Sequence, residues 1–209
     1  MRLNNLEIWK KGRPYSAPLP SINNLEGLPR TAPLLDIGCG YGRLLNHLRI
    51  MGFNNLYGVD FITEPLHSIN YAKVVAANAE ALPFKEKVFM GTFLVGVLSN
   101  ILEDEKRKKV FLEASRISKE NGILFVSAFA INRYYKEKYE AGIKEFGKYG
   151  IFRSNSGGIF RHVSEKEIKE LISGAGFKII KFQKLPFTTM HGNPAEGFVI
   201  TARKLASLS

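Results

Sequence analysis

Asp36 stands near the end of the short apolar run Leu34-Leu35-Asp36-Ile37, and Gly38, Gly40 and Gly42 follow at once. Asp60 closes a second short run, Asn55-Leu56-Tyr57-Gly58-Val59, 22 positions beyond Gly38. An acid at a strand end, beside a turn of glycines, can meet a polar ligand at close range. Glycines take positive φ and let a ligand approach the backbone. A helix opening after them offers unpaired N–H groups. An acid about 20 residues past the first glycine has the spacing at which a carboxylate meets a ribose in nucleotide-binding βαβ units. Such a carboxylate accepts from both ribose hydroxyls. Each feature has a plainer reading. The glycines suit a strand-to-helix turn that binds nothing, and Asp60 suits the first turn of the helix that Glu64 and Pro65 open.

The elements that position these residues follow from periodicity. Leu44, Leu45, Leu48 and Met51 recur at helical spacing, and Gly52 is a left-handed cap. Residues 73–77, 88–95 and 123–130 read as further strands. The last is fully apolar, as at the centre of a parallel sheet. Val110, Phe111, Ala114 and Ile117 form a helix stripe that Asn121-Gly122 would close. Residues 132–146 read as an inserted helix, with Ile131, Tyr135, Tyr139 and Ile143 at four-residue spacing. Ser154 to Gly158 is a flexible loop. Ser164-Glu165-Lys166-Glu167 is a capping box ahead of Ile168, Leu171, Ile172 and Ala175. Residues 177–183 and 198–203 are the last strands. The connector 186–197, with His191, is too long for a tight hairpin. Strands alternating with helices define an α/β chain.

The glycine spacing separates two ligand classes. A dinucleotide turn reads Gly-x-Gly-x-x-Gly, and Arg43 occupies its third glycine position. Asp36-x-Gly38-x-Gly40-x-Gly42 instead resembles the first motif of the class I, seven-strand S-adenosylmethionine-dependent methyltransferases. Asn78-Ala79-Glu80-Ala81-Leu82-Pro83-Phe84 is similar to that family's Asp-Ala-x-x-Leu-Pro-Phe stretch, with Asn78 in place of the acid. The resemblance runs from about Leu34 to Lys204. It implies a Rossmann-like three-layer sandwich: a mostly parallel seven-stranded sheet with an antiparallel last strand, helices on both faces, and an insertion after the fifth strand. It implies S-adenosylmethionine as cofactor, with Asp36, Gly38, Cys39 and Gly40 at the methionine end and Asp60 on the ribose. Phe61 would lie against the adenine, Asn78 and Ala79 would read its edge, and Gly96 would lie beneath the sulfonium. An amide oxygen at position 78 still accepts from the adenine amine. Met90 and the pair Ser99 and Asn100 depart from the family, which often has an acid and paired histidines there. Any acid–base role of those histidines does not carry over.

The 209 residues are expected to form one domain, 1–209, with a leader over 1–31 and a lid or insertion over 131–162. Pro14, Pro18, Pro20 and Pro29 exclude a long helix from the leader. Its Trp9 and Tyr15 either anchor it or cover the cofactor. No apolar run reaches the ~20 residues of a membrane span, and no secretory signal is visible. A cytoplasmic chain without membrane contact is the expectation. The single cysteine, Cys39, excludes an internal disulfide and an all-cysteine metal site. The four histidines form no recognisable zinc set, so no metal is expected. The net charge is +11, and residues 131–184 hold twelve Lys/Arg against six Asp/Glu. Nucleic acid, an acidic substrate and plain solubility all fit that excess.

The motifs name no acceptor. Cys39 lies in the cofactor loop, so no cysteine remains to attack a pyrimidine carbon. The Asn/Asp-Pro-Pro-Tyr motif of amino-directed enzymes is absent after the fourth strand. Tyr134, Tyr135 and Tyr139 either line an acceptor wall or pack a helix on the core. Arg161 is the candidate to hold an anionic group and His162 the candidate base, unless both cap loop carbonyls. Basic residues alternate with Glu137, Glu140, Glu145, Glu165 and Glu167, a surface that neutralises few phosphates. A small-molecule acceptor is therefore the expectation. RNA or protein methyl transfer, or RNA binding without turnover, are the alternatives, and the oligomeric state is not legible. The glycine spacing argues against a nicotinamide oxidoreductase.

Overall fold

Leu34, Leu35 and Ile37 offer solvent no polar face, so they form a strand covered on both sides, β1 (Leu34–Ile37). The computed structural model describes Leu19, Pro20, Ile22, Leu25 and residues 27–189 and 192–206. Trp9, Tyr15 and His191 lie outside the described residues. Around β1 stand β2 (Leu56–Asp60), β3 (Lys73–Ala76), β4 (Phe89–Val95) and β5 (Ser118–Phe129). With β8 (Phe177–Thr188) and β9 (Pro194–Lys204) they form a seven-stranded sheet in the order β3-β2-β1-β4-β5-β9-β8. β1 to β5 pair in parallel, and β9 runs antiparallel to both β5 and β8. The carboxyl ends of β1, β2, β4 and β5 thus share one edge with the start of β9. The strand order reverses between β1 and β4, the kind of crevice where open α/β sheets bind ligands.

Successive residues of β1 point to opposite faces. Leu35 and Ile37 join a core with Val110, Phe111 and Ala114 of α2 (Asp104–Ile117) and Ile168 and Ile172 of α4 (Glu165–Gly174). Leu34 joins the other core, with Leu44, Leu45 and Leu48 of α1 (Arg43–Ile50). Ile22 and Leu25 of the amino-terminal segment also pack there. The result is the three-layer arrangement expected of the sequence.

Three boundaries differ from the periodic reading. α2 stops at Ile117, four residues before Asn121-Gly122. That pair instead forms a turn within β5, Asn121 at φ 61°, where the register with β4 shifts from Phe89↔Ser118 to Gly91↔Ile123. The connector 186–197 is largely ladder, since β8 and β9 stay paired out to Thr188↔Pro194. Pro186 interrupts the alternation that would have signalled this, and is tolerated because β8 is an edge strand. The inserted helix, α3 (Lys136–Phe146), begins only after a 3₁₀ turn at Arg133–Tyr135.

α3 buries Tyr139 and Gly142, whereas Ile143 faces solvent. The cause is its partner, a two-stranded ribbon of β6 (Ile151–Arg153) and β7 (Ile159–Arg161). The Gly142 backbone lies so close to β6 that a Cβ would overlap the Ile151 carbonyl oxygen. Gly142→Ala should therefore cost about 1–3 kcal/mol, the scale of overpacking, measured by urea unfolding. An unchanged midpoint would show that helix and ribbon do not touch there. Within the insertion Ile151, Phe152 and Arg161 are buried. Asn155 and Ser156 are exposed at the tip of the ribbon's turn, which Ser154 N–H closes by donating to the Gly158 carbonyl at 2.7 Å.

Candidate functional site

The glycine loop is shaped by close approaches that only glycine allows. Gly38 has φ 78°, and a Cβ there would lie 2.5 Å from Val97 Cγ2, so the loops after β1 and β4 clasp. Gly42, at φ 74°, passes against Ile69 and the Tyr71 hydroxyl, which donates to the Gly42 carbonyl at 2.9 Å. Gly40 and Gly96 are different. Both have positive φ, and nothing lies within 4 Å of where a Cβ would stand. They border open space at the sheet edge.

The amides of all three loop glycines and of Cys39 are already used. Gly38 and Cys39 N–H donate to the Val59 carbonyl at 2.7 and 2.9 Å, and Gly42 N–H to Cys39 at 2.9 Å. Gly40 N–H donates to Asp60 Oδ2 at 2.8 Å, and Ile62 N–H to Asp60 Oδ1 at 3.0 Å. A pyrophosphate seeks free amides. This loop presents two acids, Asp36 and Asp60. Burial first, then the nearby Asp60, raise the Asp36 pKa to about 8, with Arg43 opposing. Burial and the same two acids push the Cys39 thiol up, so it is no nucleophile at neutral pH. The crevice favours a ligand that brings a cation to Asp36 and hydroxyls to Asp60.

Phe61, just past Asp60, is 64% exposed, a large apolar ring left at the mouth. Asn78 Oδ1 accepts from Glu80 N–H at 3.0 Å, an Asx turn that shapes the loop 78–84. Two residues the sequence did not single out pin that loop. Glu113 accepts from Leu82 N–H at 2.7 Å, and Arg116 donates to the Phe84 and Leu82 carbonyls at 2.8 and 3.0 Å. Ser99 Oγ donates to the Gly96 carbonyl at 3.2 Å, closing the turn after β4. The open space at Gly40 and Gly96, the acids and the exposed ring together fit a nucleoside-bearing cofactor with a cationic end.

The acceptor candidates are redistributed. Arg161 is 2% exposed, and its guanidinium donates to Asp104 and Glu167 at 2.6 Å and to the Leu102 carbonyl at 2.5 Å. It is a buried brace rather than an open anion site. His162 is 4% exposed, ringed by Phe129, Tyr135 and Phe152, with Nδ1 2.6 Å from the Tyr139 hydroxyl. Burial first, then the Arg107 charge, lower its pKa to about 3, against a bond with Ala130. It stays neutral and enclosed, which argues against service as a base. Tyr135 packs in this aromatic group, and Tyr134 alone of the two is open, at 49% exposure.

The centre of the brace is Arg107, fully buried on α2. Its guanidinium donates to the Ile101, Leu98 and Arg161 carbonyls at 2.8, 2.9 and 3.0 Å and to Glu167 at 2.8 Å. It ties the turn after β4 to the insertion and to α4. Among the described residues no group of His, Cys, Asp and Glu could hold a metal ion, and no helix is long and apolar enough to cross a membrane.

A sheet of this order, with a glycine turn and two acids at its switch point, has the kind of crevice in which open α/β sheets take nucleotide-like ligands. A family model described as a methyltransferase domain matches residues 35–126. A SAM-dependent methyltransferase from Methanosarcina mazei superposes with a TM-score of 0.79 at 26% identity, covering 86% of this chain and 95% of that one. An Arabidopsis thaliana tRNA (carboxymethyluridine(34)-5-O)-methyltransferase is 32% identical over 112 residues, 51% of this chain and 26% of that protein. Human methyltransferase-like protein 27 is 28% identical over 150 residues, 66% of this chain and 60% of that protein. This chain therefore spans less than two thirds of either curated relative. Over those residues it is similar to the class I S-adenosylmethionine-dependent methyltransferases.

Proposed function

We propose that this chain binds S-adenosylmethionine and directs its methyl group to a small-molecule acceptor. The observation that carries the cofactor is the acid-lined glycine loop, with Gly40 N–H already bonded to Asp60. When bound, the cofactor supplies a methyl activated by its sulfonium, with a neutral thioether as leaving group. The chain's part is to bind and orient. Asp36 would hold the ammonium end and Asp60 the ribose. Phe61 would cover the adenine, Asn78 and Ala79 would meet its edge, and the open space at Gly40 and Gly96 would admit the linking chain. Positioning of this kind supplies much of the rate. A general base is needed only where the acceptor must lose a proton near the transition state.

S-adenosylmethionine should raise the melting temperature by mass action and NAD should not. Asp60→Ala should weaken cofactor binding by about 1–3 kcal/mol, the scale of bonds to a charged group. Equal stabilisation by NAD would overturn the assignment. For the acceptor, support comes from a cleft of about 430 Å³ on the same sheet edge, within the range of small-molecule sites. The relative named for tRNA favours RNA as a second reading. Methyl transfer from labelled cofactor to total RNA, total protein and a metabolite extract, assayed separately, decides between them. Label is expected in the metabolite fraction, and label in RNA alone would promote the second reading.

A further inference from the structure

One cluster of cations has no role in the cofactor crevice. Arg133 and Lys136, at the opening of α3, and Lys184, on β8, line the 430 Å³ cleft together with Glu196 and Tyr149. Glu196 is the one acid of that lining, and it pairs with Lys184 at 2.6 Å. Lys136 has only Glu140 near, at 3.8 Å, beyond hydrogen-bond length. The Arg133 guanidinium rests over the Tyr134 ring, 5.2 Å from its centre. Three cations against one acid leave an excess of two positive charges.

The backbone beneath them is fixed. Asn132 is buried, its Nδ2 donating to the Ala130 carbonyl at 2.8 Å and its Oδ1 accepting from Tyr134 N–H at 3.0 Å. Ile131 N–H donates to the Val163 carbonyl at 2.9 Å, and Ala130 N–H to the Glu196 carbonyl at 2.8 Å. Arg133 and Glu196 are therefore set by bonded neighbours on either side of the cleft. Lys184 is held in the β8–β9 ladder opposite Phe198.

We propose that this cleft binds a phosphate group carried by the acceptor, an inference that rests on the methyl-transfer reading for its purpose but not for its binding. A phosphate dianion matches the excess of two charges. The arginine fork gives paired bonds to its oxygens, and the lysines act as point charges. A carboxylate would leave one charge unmatched. Position also sets distance. Gly96 follows β4, whereas Lys184 is three strands away, roughly 14 Å at normal strand spacing. A phosphate anchored there holds the acceptor by a group roughly 14 Å from the crevice. Binding at such a remote group helps to orient the reacting centre.

The test uses the full chain and an Arg133→Glu/Lys136→Glu variant, whose altered side chains are on the surface. Amide NMR follows titration with inorganic phosphate to roughly 10 mM, a range that detects weak sites. Shifts are expected at 131–136 and near Lys184 and Glu196, and are expected to vanish in the variant. S-adenosylmethionine affinity should stay unchanged in the variant, so loss of the phosphate site is distinguishable from failure of the cofactor assignment. A second arm titrates a ten-residue oligouridylate. A third treats the metabolite extract with phosphatase before the labelling assay, and labelled product should fall by about tenfold or more. Phosphate shifts that are absent, or that persist in the variant, overturn the proposal. So does oligouridylate binding more than about tenfold tighter than phosphate with a salt slope of several ions, the mark of a polyanion surface. Full labelling after phosphatase also overturns it.

Discussion

Arg107→Met should destabilise the protein by about 3–5 kcal/mol, the cost of removing one partner from a buried charged network. Methionine fills much of the same volume, so the loss reports the guanidinium and not a cavity. Three backbone carbonyls, of Leu98, Ile101 and Arg161, lose their donor in the interior. Glu167 keeps one cation, because Arg161 also donates to it at 2.6 Å. Glu167→Gln should consequently cost less than Arg107→Met. Arg107→Lys retains charge but not the fork, and should fall between wild type and Arg107→Met. The turn after β4 begins at Gly96, so the same variant should also weaken cofactor binding. Urea unfolding and a cofactor titration measure the two effects. A loss under about 1 kcal/mol, the worth of an ordinary surface pair, would show that the turn is held by something else.

The contrast between this brace and the glycine loop explains what the sequence can reveal. Every constraint on the loop is local. Positive φ demands glycine at 38, 40 and 42, and the acids are placed by strand length. Such constraints leave a mark within a few residues. Arg107 lies inside Glu103-Asp-Glu-Lys-Arg-Lys-Lys, which reads as a solvated face. Its partners Glu167 and Arg161 are 60 and 54 residues away. The one local clue was its place three and four residues before Val110 and Phe111, on their face of the helix. Arg161 and His162 misled for the same reason. Their surroundings exist only once α3 and the ribbon have packed. In α3 the periodic stripe pointed to Ile143, but the ribbon backbone comes too close for any side chain, so Gly142 faces it. The cation cleft was legible only as charge excess. Its members come from the start of the insertion, from β8 and from β9, and Pro186 masks the alternation of the ladder beyond Gln183.

Cofactor affinity should fall about tenfold for each pH unit below 8, because the ionised fraction of Asp36 falls by that factor. Its pKa of about 8 comes from burial and then from Asp60, with Arg43 opposing. At pH 7 roughly nine in ten molecules of ligand-free protein hold a proton there. If the carboxylate meets an ammonium, that proton must leave on binding. Calorimetry in buffers of different ionisation enthalpy should record close to one proton released per cofactor at pH 7, and none with Asp36→Asn. Above pH 8 affinity should fall again as the ligand's own α-amino group loses its proton, ordinarily near 7.7–8.0. Stability supplies an independent reading. The folded pKa lies above the model value of 3.8, so the native state binds more protons between those two values. Stability of the ligand-free protein should therefore decline as pH rises from 4 through 8, in contrast to an acid held in a salt bridge. Asp36→Asn removes that buried charge and should raise the melting temperature above wild type at pH 8–9. A stability difference of that sign with no proton release would mean that Asp36 stays neutral in the complex, and the ammonium would have to be held by another group.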